Sequence, residues 1–204
     1  LALTTSRTRK LAALTQYFDE TPDPDRGYAL AVLTGALSFA NVKPALLKQT
    51  VLAEVDETLF AMSYDYVGDL GETIALIWPA RGEPRDVPLT EVVVTLSDAG
   101  KTEVPGLMAR WLDALTPSER FALIKLVTGS LRVGISSRLA LTGLARIGSV
   151  PLEEIEELWS GFAPPYAPLF QWLEGGPRPK VTARAPFRPV MLSTPVTEED
   201  LPSF

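Results

Sequence analysis

Apolar residues recur at spacings of three and four through almost every segment of this chain, and alternation of period two is hard to find. The pattern predicts an all-α, multi-helix domain. A first helix runs from Ser6 to Asp19, with Leu11, Leu14 and Phe18 on one stripe, a serine at its start and Thr21-Pro-Asp-Pro-Asp at its end. Further helices are predicted at 26–38, 44–66 with a break, 70–78, 88–97, 104–114, 117–129, 137–147, 151–160 and 165–174. Val92-Val93-Val94 is the one stretch with strand character, but Pro88-Leu89-Thr90-Glu91 before it reads as a helix start, so this segment is also assigned to helix. The helical domain is expected to span 1–174. From Gly175 onward, Gly176, Pro177, Pro179, Pro186, Pro189 and Pro195 leave no room for a regular helix. Residues 175–204 therefore read as an extended Pro-rich linker, basic and then acidic, leading to a further domain.

Composition narrows the chemistry. The 204 residues, 46% of them hydrophobic, can bury one sizeable core or two small lobes. The absence of both cysteine and histidine removes Ser-His-Asp and Cys-His nucleophile systems, imidazole and thiolate metal sites, and the commonest general base near neutral pH. No metal site or complete catalytic constellation is expected. The longest near-apolar run, Tyr28 to Ala40, contains Thr34, Gly35 and Ser38 and is too short for a membrane span, so a soluble protein of the reducing cytoplasm is expected. Trp78, Trp111, Trp159 and Trp172 read as packing residues. Asp69, in Gly68-Asp-Leu-Gly-Glu72, reads as a helix cap.

A net charge of −6 argues at first against a nucleic-acid partner. Its distribution points the other way. Arg7, Arg9 and Lys10 crowd the N-terminus, and residues 118–148 hold Arg120, Lys125, Arg132, Arg138 and Arg146 against Glu119 alone. Acidic residues gather elsewhere, at Asp19, Glu20, Asp23 and Asp25 and again at Glu153, Glu154, Glu156 and Glu157. Such segregation can build a basic face on an acidic protein, although charged runs on helices also occur simply as solvated surface.

The most informative stretch is Leu126-Val-Thr-Gly-Ser-Leu-Arg-Val-Gly-Ile-Ser136. An apolar helix ends at Gly129, and Ser136 or Ser137 can cap the next one. Gly134 would let the main chain approach a ligand closely, the following helix N-terminus carries partial positive charge, and Arg132 lies between. Two readings stand: a phosphate-facing loop, or an ordinary helix junction with a glycine cap. The Thr-Gly-small-Leu core recurs at Leu33-Thr-Gly-Ala-Leu-Ser-Phe-Ala-Asn41, 94 positions earlier. If the echo is structural, it implies two lobes related by approximate two-fold symmetry, each with one such loop, suited to straddling a duplex.

This loop, with Tyr66-Val-Gly-Asp-Leu-Gly-Glu72 and Pro186-Phe-Arg-Pro-Val-Met-Leu192, resembles the N-terminal DNA-binding domain of ATP-dependent DNA ligases, particularly the bacterial type. The resemblance implies sequence-independent binding of nicked double-stranded DNA through phosphates and the minor groove. It implies DNA-binding roles for Gly129, Ser130, Arg132, Gly134, Ser136, Ser137 and Arg138, for Ser6, Arg7 and Lys10 near the N-terminus, and for Ser38 and Lys43 at the echo. It also implies adenylation and OB-fold domains in the parent polypeptide, with ATP and Mg2+ as that enzyme's cofactors in DNA repair, replication or recombination. No lysine here stands in a Lys-x-Asp-Gly motif, and Ile135 replaces the lysine that a nucleotide-binding Gly-x4-Gly-Lys-Ser/Thr loop requires. This segment alone is therefore expected to be non-catalytic and to bind no cofactor. The competing expectation is a helical scaffold or adaptor that binds a protein.

Overall fold

The computed structural model describes residues 5–79, 81–131 and 133–180. Arg132 and most of the expected linker, 181–204, lie outside the described residues, as does Ala80. Among the described residues there are eleven α-helices and no strand. They are α1 (Arg7–Glu20), α2 (Asp25–Leu33), α3 (Pro44–Leu52), α4 (Glu57–Val67), α5 (Leu70–Ile77), α6 (Leu89–Asp98), α7 (Val104–Ala114), α8 (Pro117–Val127), α9 (Ser137–Gly148), α10 (Leu152–Leu158) and α11 (Ala167–Leu173), with a 3-10 turn at Trp159–Gly161. Val92–Val94 is helical: Val92 and Val93 fall on the buried face of α6.

Side-chain caps set five of the eleven starts. Ser6, Asp56, Asp69 and Ser136 each accept from the N–H three residues on, and Thr116 forms a reciprocal capping box with Glu119. The ends hold the main departures from the periodicity. The helix expected over 26–38 stops at Leu33, the one expected over 117–129 stops at Val127, and the break in 44–66 falls at residues 53–56. At the first two ends apolar spacing continues past the helix, but a left-handed glycine terminates it: Gly35 at φ +74° and Gly129 at φ +68°.

These two ends are built alike. Ala36 N–H donates to Ala31 O and Ser130 N–H to Lys125 O, both 2.8 Å, the long bond of a Schellman cap. Thr34 Oγ1 donates to Leu30 O at 2.8 Å and Thr128 Oγ1 to Ile124 O at 2.7 Å. Arg26 and Arg120, both buried, lie eight residues before these threonines; Arg26 donates to Phe18 O and Arg120 to Leu112 O. Every pair of corresponding atoms lies 94 residues apart, as in the sequence echo.

Two clusters of buried side chains organise the molecule. One draws on α1, α2, α9, α10 and α11, with Phe18, Leu30, Leu144 and Phe170 at its centre. The other draws on α3 to α8, with Leu47, Ile74, Met108, Leu112 and Ile124. Chain order does not follow the clusters, because α9 returns to pack on α1. Gly143 permits that approach: a Cβ there would sit 3.2 Å from Leu14 Cβ. Trp78 and Trp111 are buried in the second cluster, their indole N–H groups donating to Asp113 and Glu91, while Trp159 and Trp172 pack half-buried against the first.

Candidate nucleic-acid interface

The loop from Gly129 to Ser136 divides into a cap and a bridge. In the cap, the N–H groups of Gly129 and Ser130 are committed to Leu126 O and Lys125 O, and Ser130 Oγ lies 2.6 Å from Thr128 Oγ1. Gly129 and Ser130 thus close α8. Gly134, in the bridge, takes φ +63°, and Ser136 Oγ accepts from Leu139 N–H to start α9. In the first turn of α9 the N–H groups of Ser137 and Arg138 have no intrahelical acceptor and point outward at its positive end.

What lies beside this loop is set by α1. Its packing on α9 carries Lys10 to the bridge, where the ammonium donates to Val133 O at 3.1 Å and Gly134 O at 2.9 Å. The N-termini of α1 and α9 consequently open into one cleft of about 340 Å3, lined by Thr5, Arg7, Lys10, Gly134, Ser136, Arg138 and Leu139. Arg138, 66% exposed, is steadied by Glu156 of α10 at 3.5 Å. Three cations and two helix starts thus face one solvent-open space. That arrangement suits a phosphate group: hydroxyls and outward N–H groups can donate to its oxygens while the guanidiniums and the ammonium balance its charge.

The structure therefore brings together Ser6, Arg7, Lys10, Gly134, Ser136, Ser137 and Arg138, residues more than 120 positions apart. Ser38 and Lys43 are elsewhere. Ser38 is exposed after α2, and Lys43 is the N-cap of α3, in the segment that joins the second cluster; there Asn41 Nδ2 donates to Ala99 O at 2.9 Å. Arg132 falls outside the described residues, between the half-buried Leu131 and Val133. Sequence reasoning selected Lys10 for its charge and missed its place as a brace. It also missed Thr5 in the cleft wall and Gly143, whose isolated position inside an amphipathic helix was the available signal for a close helix approach.

Among the described residues no helix is long and apolar enough to cross a membrane. Residues 1–145 match the family described as "DNA ligase N terminus". The chain is also similar to a probable DNA ligase from Opitutus terrae, 24% identical over 203 residues, a match that covers 76% of this chain and 20% of that protein. The chain thus matches about a fifth of the length of that curated relative.

Proposed function

The chain belongs to the DNA ligase N-terminal family, and on that premise we propose that it is the module that holds nicked duplex DNA for a ligase. The observation that carries this reading is the convergence of two helix N-termini with Arg7, Lys10 and Arg138 on one cleft. A duplex backbone supplies the complementary anion. Contacts of this kind read phosphate rather than base, so binding is independent of sequence and weakens with salt. Arg132, between the cap and the bridge, is assigned to the minor groove beside the nick.

The paired features 94 residues apart support a second contact. Arg26 and Arg120, Thr34 and Thr128, and Gly35 and Gly129 match in residue type and in the bonds their neighbourhoods make. The same offset relates α1–α5 approximately to α7–α11, and each core cluster combines the leading helices of one set with the trailing helices of the other. We read this as two lobes about an approximate two-fold axis. Ser38 and Lys43 then occupy the positions of Arg132 and Ser137, and bind the duplex on the far side of the nick more weakly, with Ser38 uncharged where Arg132 carries a cation.

In this reading residues 1–174 are the clamp, and 175–204 lead to the adenylation and OB-fold domains of the parent ligase. ATP and Mg2+ belong to those domains. The lysines of this chain do not fit the covalent attachment of AMP, since none lies in a Lys-x-Asp-Gly motif, so the chain contributes binding and positioning. Titration of the chain into nicked and intact duplexes at two salt concentrations, followed by fluorescence anisotropy, tests this. Salt-weakened binding that favours the nicked duplex is expected; no binding at low salt would favour a protein-binding scaffold instead.

A further inference from the structure

A second concavity shares the same loop, through Leu131 and Val133, and has opposite chemistry. It is a groove of about 830 Å3 between α1 and α2 on one wall and α6 and α8 on the other, with Leu131 and Val133 at one end. Leu33, Val92, Leu115 and Leu126 form its apolar floor and sides. The charged residues that line it are Asp25, Asp86 and Glu119, all acidic. An open apolar groove of this size marks an interaction site, and its carboxylates disfavour the phosphate that suits the basic cleft.

The chain itself contains a segment of complementary character. Between Glu174 and Glu198 no acidic residue occurs, and residues 180–192 carry Lys180, Arg184 and Arg188 interleaved with Val181, Phe187, Val190, Met191 and Leu192. The segment's three cations match in number the groove's three carboxylates, and its sequence supplies apolar residues to match the floor. Arg178 pairs with Glu154 and Glu157 of α10 at 3.3 and 3.6 Å, so the segment sets out from α10. Glu174, just past α11, pairs at 2.5 Å with Arg26, the chain neighbour of the groove-lining Asp25. From Lys180, the seven residues to Phe187 reach up to about 25 Å, more than the radius of gyration of about 16 Å expected for a domain of this size.

We propose that the groove between α1/α2 and α6/α8 is a docking site for this chain's own segment 180–192, with Phe187 as the apolar anchor and Arg184 and Arg188 on the acidic rim. Docking would hold this segment against the loop of the basic cleft, because Leu131 and Val133 line the groove while flanking Arg132 in the sequence. The docking itself stands apart from the DNA reading; its consequence for the loop rests on that reading.

The absence of cysteine from the sequence supplies the test. Ala122 is exposed and lines the groove, so Ala122→Cys places a single thiol there in the full 204-residue chain. Its rate of reaction with a maleimide is measured in that background, in Phe187→Ala, and in Arg184→Glu/Arg188→Glu, with circular dichroism confirming equal folding. Slow labelling that accelerates several-fold in both variants, and slows again when a synthetic peptide of residues 180–192 is added to the Phe187→Ala protein, is the expected result. Equal rates in all three proteins would overturn the proposal. So would protection that survives the variants but disappears on dilution, which would assign the groove to a second copy of the chain.

Discussion

Replacing Lys10 by Met separates bracing from binding at the basic cleft. The Lys10 ammonium donates to Val133 O and Gly134 O, so two of its three N–H groups hold the bridge against α1 and one remains for solvent or phosphate. A hydrogen bond contributes about 0.5–1.5 kcal/mol net, and the Gly134 contact is exposed, so Lys10→Met should cost about 1–2 kcal/mol. For a chain of this length that lowers Tm by roughly 2–8 °C. The remaining N–H predicts a second effect: loss of one phosphate contact should reduce the slope of log K against log salt by about 0.9. Affinity should fall on the order of tenfold, since a displaced bridge also misplaces the start of α9. Thermal melting and anisotropy titrations across a salt series measure both effects. Arg7→Met is the control, because Arg7 lines the cleft without bracing it and should change the slope while leaving Tm in place. An unchanged Tm for Lys10→Met would refute the brace; an unchanged slope with a lowered Tm would remove Lys10 from the phosphate contacts.

Four further outcomes follow from individual residues. Arg132→Ala should weaken binding to nicked DNA by about 1 kcal/mol or more whatever its sequence and flatten the salt slope by roughly one unit, read from the same titrations. Gly134→Val places a β-branched residue at φ +63° with its Cβ 2.5 Å from Lys10 Nζ, so DNA affinity should drop while the far-ultraviolet helix signal persists; global unfolding would mean that the glycine is chiefly structural. Gly27→Ala should destabilise the first core by about 3 kcal/mol or more, because its Cβ would fall 1.7 Å from the backbone oxygen of Pro165; a Tm within 2 °C of the parent, the size of a shift worth about 0.5 kcal/mol, would contradict that packing. The Glu91 carboxyl is held below its ordinary value of 4.5, first by the hydrogen bond from Arg85 and, against the opposing effect of burial, by the Trp111 indole. Its stabilising effect is therefore present above pH 4.5 and lost as pH falls through the lower folded-state value. Glu91→Gln should flatten the acid limb of Tm against pH, and an unaltered limb would argue against the Arg85–Glu91–Trp111 arrangement.

Local information accounts for the helices. The spacing of Leu11, Leu14 and Phe18, the side-chain caps at Ser6, Asp69, Thr116 and Ser136, and the glycines after α2 and α8 act within one or two turns, so they are visible in the sequence. Even there, periodicity overran two helix ends. Leu37 and Leu131 continue the apolar pattern because they pack beneath the loops, against a core or in the groove, rather than along a helix. The tally of cations was equally legible. Their grouping was not.

Only the tertiary packing of α9 on α1, permitted by Gly143, places Lys10 and Arg7 beside Gly134 and Arg138, and it separates Ser38 and Lys43 from that cleft. The acid-rimmed groove that shares this loop has the same origin. Asp25, Asp86 and Glu119 are far apart in the chain and share one surface only because α2, α8 and the segment before α6 meet there. Backbone preference and capping act over a few residues and are written in order along the chain. Electrostatic and shape complementarity arise where distant segments close against one another, and the fold alone fixes which charges become neighbours.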